Sequence, residues 1–195
     1  MRIAEGLQDR EKYKRVLEVG PGRGMLTKYL MQEDYELLVV EADKDMVLYL
    51  QKYYPDLQGK IVSADFLKIP LPEVMGDDPF AIIGNFPYNI SSQIVFKMLE
   101  HKEQIPELVG MFQKEMAQRV IAEPGTKTYG VISVLVQAFY TGKIILKVSP
   151  GSFSPPPKVQ SAVIKLQRKD NLRGYVVRIV SNHEKWFIVK NLTKL

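Results

Sequence analysis

Short apolar runs alternate with stretches whose apolar positions recur every three or four residues. Runs at 16–19, 37–40, 60–63, 80–84 and 108–112 have the length and bounding turn residues of buried strands. Helical spacing predicts helices over 25–32, Lys44–Tyr53, 91–99, 114–122 and 129–140. In the third of these, Ile94, Val95, Met98 and Leu99 share one face, and Ser91 or Ser92 is the expected N-cap. Runs at 142–148 and 161–166 read as a closing antiparallel pair. Strands that alternate with helices imply an α/β fold, with a mostly parallel sheet and helices on both faces.

In such a sheet, ligands sit beyond the carboxyl ends of the strands. The unusual residues of this chain gather there. The first strand ends in Glu18 and the run Gly20-Pro21-Gly22-Arg23-Gly24, the second in Glu41, the third in Asp65, and the fourth in Asn85-Phe86-Pro87-Tyr88. Four strand ends carrying polar side chains or glycine argue for one shared crevice.

Composition narrows the chemistry. The 195 residues contain no cysteine and two histidines, His101 and His183, which excludes disulfides and thiolate metal sites and disfavours a zinc centre. No metal is expected. Apolar runs are too short to cross a bilayer, and the N-terminus lacks a secretory apolar segment, so a cytoplasmic protein without membrane contact is expected. The net charge of +5 divides unevenly: residues 1–100 carry −4 and residues 101–195 carry +9. That asymmetry points to a polyanionic partner, although a solvated surface explains it equally well.

The glycine run is G-x-G-x-G, not the dinucleotide G-x-G-x-x-G, and Pro21 removes an amide donor. Gly20 and Gly22 would let a ligand approach the backbone, or simply form a tight turn. Glu41, about twenty residues on, suits a carboxylate that accepts ribose hydroxyls. Asp65-Phe66 offers an acceptor for an adenine amino group and an apolar neighbour for the ring, or equally a helix cap and a core residue. Adenosine recognition without a phosphate cradle suggests S-adenosylmethionine. Asn85-Phe86-Pro87-Tyr88 is the sharpest feature. The Asn85 side-chain oxygen and the Phe86 carbonyl could accept both N–H bonds of an exocyclic base amine and favour its nucleophilic form, while Tyr88 offers a face to an extruded base. The alternative is a strand-end turn, which Asn and Pro also favour. Phe153, before Ser154-Pro155-Pro156-Pro157-Lys158, could form a second stacking wall, with Lys158 on a phosphate, or could lie in the core.

Together these segments resemble the ribosomal RNA adenine dimethyltransferase family. The resemblance rests on Leu17-Glu18-Val19-Gly20-Pro21-Gly22-Arg23-Gly24, Glu41, Asp65, the run from Gly84 to Ser92, and the run from Phe153 to Ser161. It covers about Ile3 to Lys169. It implies a class I methyltransferase sheet and methyl transfer from S-adenosylmethionine to N6 of two adjacent adenosines near the 3′ end of small-subunit rRNA. Its implied partner is the immature small-subunit (30S) particle, bound by a monomer. Cofactor contacts carry over to Gly20, Gly22, Glu41, Asp65 and Asn85, and base handling to Asn85, Phe86, Tyr88 and Phe153. The related macrolide-resistance methyltransferases, which act on large-subunit rRNA, and a non-catalytic ribosome-assembly module are the alternative readings. Family members also carry a basic N-terminal segment before the matching region and a helical C-terminal domain with an Arg-rich segment. Residues 1–169 are therefore expected to form the methyltransferase domain and 170–195 an atypical tail, with weaker cofactor and RNA binding than in a full-length relative.

Overall fold

The computed structural model describes residues 3–152, 159–170, 177–182 and 185–190. Its centre is a seven-stranded sheet. Strands β1 (Arg15–Val19), β2 (Glu36–Glu41), β3 (Ile61–Ser63), β4 (Phe80–Asn85) and β5 (Glu107–Gln113) run parallel. β6 (Tyr140–Val148) and β7 (Ser161–Arg168) complete it, with β7 antiparallel to both β5 and β6. The order across the sheet is β3-β2-β1-β4-β5-β7-β6. β1 is flanked by β2 on one side and β4 on the other, so the connections diverge there and leave a crevice beyond the ends of β1 and β4.

Alternation along each strand divides the core between the two faces of the sheet. Leu17, Ile82, Leu108, Phe112 and Ile164 bury on one face with α4 (Ser91–Glu100), α5 (Lys114–Val120) and α6 (Val131–Phe139). Val16, Val39, Ile83, Val109 and Val163 bury on the other with Ile3, Leu7, Leu30 and Leu50. Leu30 belongs to α1 (Thr27–Leu30) and Leu50 to α2 (Lys44–Tyr53), the latter capped by Asp43, whose Oδ1 accepts from the N–H groups of Asp45 and Met46. The predicted strands and helices are all present; most strands run one or two residues longer than expected, whereas α1, α5 and α6 are shorter.

Three local expectations change. Neither Ser91 nor Ser92 caps α4: Ser91 is its first helical residue, Ile90 takes the cap position without a side-chain cap, and the Ser91 hydroxyl donates to the Tyr88 carbonyl. α6 starts at Val131 and stops at Phe139. Gly130 is extended and donates its N–H to Ser133 Oγ, while Tyr140 already has strand geometry. A helix over Leu71–Met75 (α3) follows Pro70 and includes Pro72, because proline suits a first helical turn. β8 (Val177–Asn182) and β9 (Lys185–Lys190) pair antiparallel in a sheet of their own. No helix among the described residues is long and apolar enough to cross a membrane.

Candidate active site

The glycine loop leaves β1 through three residues in the left-handed region: Gly20 (φ 68°), Gly22 (φ 54°) and Gly24 (φ 74°). At Gly24 a side chain would also collide with Tyr54. Tyr54 lies on Gly24 and donates its hydroxyl to the Gly24 carbonyl at 3.1 Å, which pins the far side of the loop. Gly22 faces open space, with no atom within 4 Å of where a Cβ would stand. Its N–H donates to Glu41 Oε2 at 3.0 Å, and the N–H of Asp43 donates to Glu41 Oε1 at the same distance. Glu41 is thus oriented by backbone at the end of β2, and each oxygen retains a second lone pair for an incoming hydroxyl.

Glu18 lies beneath this loop and is fully buried. Its Oε2 has no hydrogen-bond partner. Burial, aided by the nearby charge of Glu41, pushes the carboxyl up to about 7 against the opposing influence of Thr27. The sequence placed Glu18 at a strand end but gave it no role; only the fold reveals its burial.

Asp65 begins a turn after β3. Its Oδ1 accepts from Leu67 N–H at 2.9 Å, and Lys68 Nζ stands 3.6 Å from Oδ2. Asp65 therefore shapes a turn rather than capping a helix, with its second oxygen beside Lys68. Phe66 is buried in the core.

Asn85 is the last residue of β4, exposed, and its side chain has no partner among the described residues. The next residue is its opposite. The Phe86 ring is buried, packed edge-on against Phe112 at 5.1 Å, and lies across Gly84 and Gly110 on adjacent strands. A Cβ on Gly84 would stand 2.6 Å from the ring, and one on Gly110 would collide with it. Phe86 therefore has no stacking face to offer a base; its ring anchors the loop and its carbonyl is the group left for chemistry. Pro87 Cδ lies 3.7 Å from the Cβ position of Gly20, which brings the glycine loop and the Asn-Phe-Pro-Tyr loop together. Tyr88 is half-buried and its hydroxyl hydrogen-bonds Ser161 Oγ at 2.6 Å, so β7 orients its ring. Phe153 and the following prolines lie outside the described residues. Among the described residues no group of three or more His, Asp or Glu side chains could hold a metal ion.

The crevice thus offers a glycine floor open to a ligand, a backbone-oriented carboxylate, a half-buried carboxylate after the next strand, and an unpartnered amide beside a rigid carbonyl. These fit the ribose, adenine and reacting ends of S-adenosylmethionine.

Comparison with known proteins places the chain among rRNA methyltransferases. The chain is 54% identical over 159 residues to the ribosomal RNA small subunit methyltransferase A of Flavobacterium johnsoniae, covering 82% of this chain and 61% of that protein. It is 51% identical over 169 residues to the protein of the same name from Cytophaga hutchinsonii, covering 86% and 65%. The chain spans about three fifths of the length of these curated relatives. Among solved structures, a dimethyladenosine transferase from Plasmodium falciparum superposes with a TM-score of 0.70 at 31% identity, covering 82% of this chain and 57% of that one. The 23S rRNA methyltransferase ErmE gives 0.70 at 32%, covering 87% and 66%. The family model for ribosomal RNA adenine dimethylase matches residues 2–193. The chain belongs to the ribosomal RNA adenine dimethylase family.

Proposed function

We propose that this chain is the core of an enzyme that transfers methyl groups from S-adenosylmethionine to N6 of two adjacent adenosines near the 3′ end of small-subunit rRNA. The observation that carries this reading is the Asn85-Phe86 pair: an unpartnered side-chain amide beside a backbone carbonyl fixed by a buried ring, at the mouth of the crevice. Bound S-adenosylmethionine would supply an electrophilic methyl group. Gly20 and Gly22 leave room for it, Glu41 holds the ribose hydroxyls, and Asp65 accepts from the adenine amino group. The Asn85 oxygen and Phe86 carbonyl accept the two N–H bonds of the target amine and free its lone pair from the base ring. Tyr88, oriented by Ser161, provides the stacking face, with Phe153 opposite. The methylated amine is cationic and sheds its proton readily, so no strong base is required.

The curated relatives favour the small subunit as target, whereas the two solved structures are equally similar and do not discriminate. In this reading the immature small-subunit particle is the partner, approached by a cytoplasmic monomer, and the +9 charge of residues 101–195 assists RNA binding. Residues 1–169 form the methyltransferase unit and 170–195 a distinct tail, in keeping with β8 and β9 pairing only with each other.

The test is tritium transfer from labelled S-adenosylmethionine to unmethylated 30S particles, with the modified base identified. Asn85→Ala should slow single-turnover methylation by roughly 10²–10³, because the lost acceptor acts mainly in the transition state. RNA affinity should change little. Methylation at the parental rate would reduce the loop to a turn. Particle binding by the parent without any methylation would favour the assembly-module reading.

A further inference from the structure

Lys97 is the anomaly of α4. Its neighbours Ile94, Val95, Met98 and Leu99 are buried and apolar, as a core-facing stripe should be. Lys97 is 7% exposed among them. Burial lowers its pKa, and Glu100 and Asp65 only partly offset that. Among the described residues no carboxylate reaches ion-pair distance of its ammonium. A buried charge without a counter-ion is costly, so what it does contact is informative.

Lys97 Nζ donates to the carbonyls of Phe66 and Ile69, each at 2.6 Å, and lies 5.1 Å from the centre of the Phe66 ring. These carbonyls bracket the turn that Asp65 opens. Within that turn the Asp65 carbonyl accepts from the N–H groups of Lys68 and Ile69, and Asp65 Oδ1 from Leu67. One ammonium therefore ties both ends of the segment that presents Asp65 to the crevice. The helix that carries it begins at Ser91, directly after the Asn85–Ile90 loop, and Ser91 holds the Tyr88 carbonyl. A methionine would fill the same volume but leave both carbonyls without a donor and the turn free to shift.

We propose that Lys97 is a positioning residue for the adenosine end of the cofactor site, holding the Asp65–Ile69 turn through the Phe66 and Ile69 carbonyls. It touches neither cofactor nor base, and its role rests on the cofactor reading given above. The geometry also makes α4 a shared mount: its first turn carries the loop for the target base, and its last turns clamp the wall for the cofactor.

The test is calorimetric binding of S-adenosylhomocysteine, the reaction product, to the 195-residue chain. Lys97→Met should weaken binding about tenfold. Lys97→Gln, which keeps one amide donor, should fall between parent and Lys97→Met and guards against a variant that does not fold. If Lys97 acts through the turn, its loss matters little once the Asp65 carboxylate is gone. The Asp65→Ala and Lys97→Met/Asp65→Ala proteins should then differ by twofold or less. Parental affinity in a folded Lys97→Met or Lys97→Gln protein overturns the proposal, as does full multiplication of the two single effects, which would make Lys97 merely structural. Failure of the parent itself to bind S-adenosylhomocysteine would instead bring down the cofactor reading, and this proposal with it.

Discussion

Glu18 shows how far one buried carboxyl departs from its exposed behaviour. In the unfolded chain it ionises near its ordinary value of about 4.5, and in the folded chain near 7. Between those values folding takes up a proton. Its contribution is therefore most favourable on the acid side and is lost as pH rises through the window from about 4.5 to 7. The full swing is worth about 3 kcal/mol at 1.36 kcal/mol per pK unit. Glu18→Gln keeps the shape and removes the charge, so it should flatten this part of the profile. Urea unfolding at pH 5.5 and pH 8 measures it: the parent should lose about 2 kcal/mol more than the variant across that interval. Parallel profiles would mean that Glu18 is solvated in the folded protein. Glu41, by contrast, is oriented by backbone N–H groups and accessible. Its replacement by alanine should leave folding nearly intact and weaken S-adenosylmethionine binding by about 1.5–3 kcal/mol, as expected for hydrogen bonds to a charged group. Unchanged affinity in calorimetry would remove it from the site.

At the scale of elements, the loop after β4 depends on two glycines that are far apart in sequence but paired across neighbouring strands. Gly84 is two residues before Phe86, but Gly110 lies on β5, and the aromatic ring occupies the space that both leave. Gly110→Ala would force the ring off its seat and drag the Phe86 backbone with it. The cost should be about 1–3 kcal/mol, typical of inserting a methyl group into a packed core. Shrinking the ring in Phe86→Leu/Gly110→Ala should recover part of that stability. A Gly110→Ala protein that unfolds within 0.5 kcal/mol of the parent in urea would show that the ring is not held there. This contact also marks the limit of what the sequence makes legible. The strands at 37–40 and 80–84 follow from short apolar runs, that at 16–19 from a run broken only by Glu18, and the crevice from polar residues at their ends. The carbonyl role is an expectation read from the loop sequence, whereas the ring role of Phe86 requires the β4–β5 neighbour relation. The burial of Glu18 and Lys97 is likewise set by tertiary packing, because no local pattern distinguishes a buried charge from a solvated one. α3 is hidden for a different reason: Pro70 and Pro72 look like loop residues until their place in a first helical turn is known.

Across the whole molecule, the ends of the sheet chemistry are tied to the N-terminal segment by one buried ionic cluster. Glu107 opens β5 and Lys165 lies in β7; both are fully buried and their charges are 2.7 Å apart. Glu107 Oε2 also accepts from the N–H groups of Gln8 and Asp9 and from the Tyr13 hydroxyl, while Lys165 Nζ donates to Gln8 Oε1. These bonds seat the segment that carries Ile3, Leu7 and Tyr13 into the core on that face of the sheet. Such a pair is weak support for stability as a unit, because desolvation offsets its attraction, but removing one partner strands the other charge in the interior. Glu107→Gln and Lys165→Met should each cost about 3–5 kcal/mol in urea unfolding. The double variant should be less destabilised than the two costs added together, because neither buried charge is then left alone. Limited proteolysis gives an independent reading: each single variant should be cut faster near residues 8–14, where the segment loses its anchors. Single variants that cost less than 1 kcal/mol, or a double variant whose cost is strictly additive, would show that the cluster does not hold the N-terminal segment to the sheet.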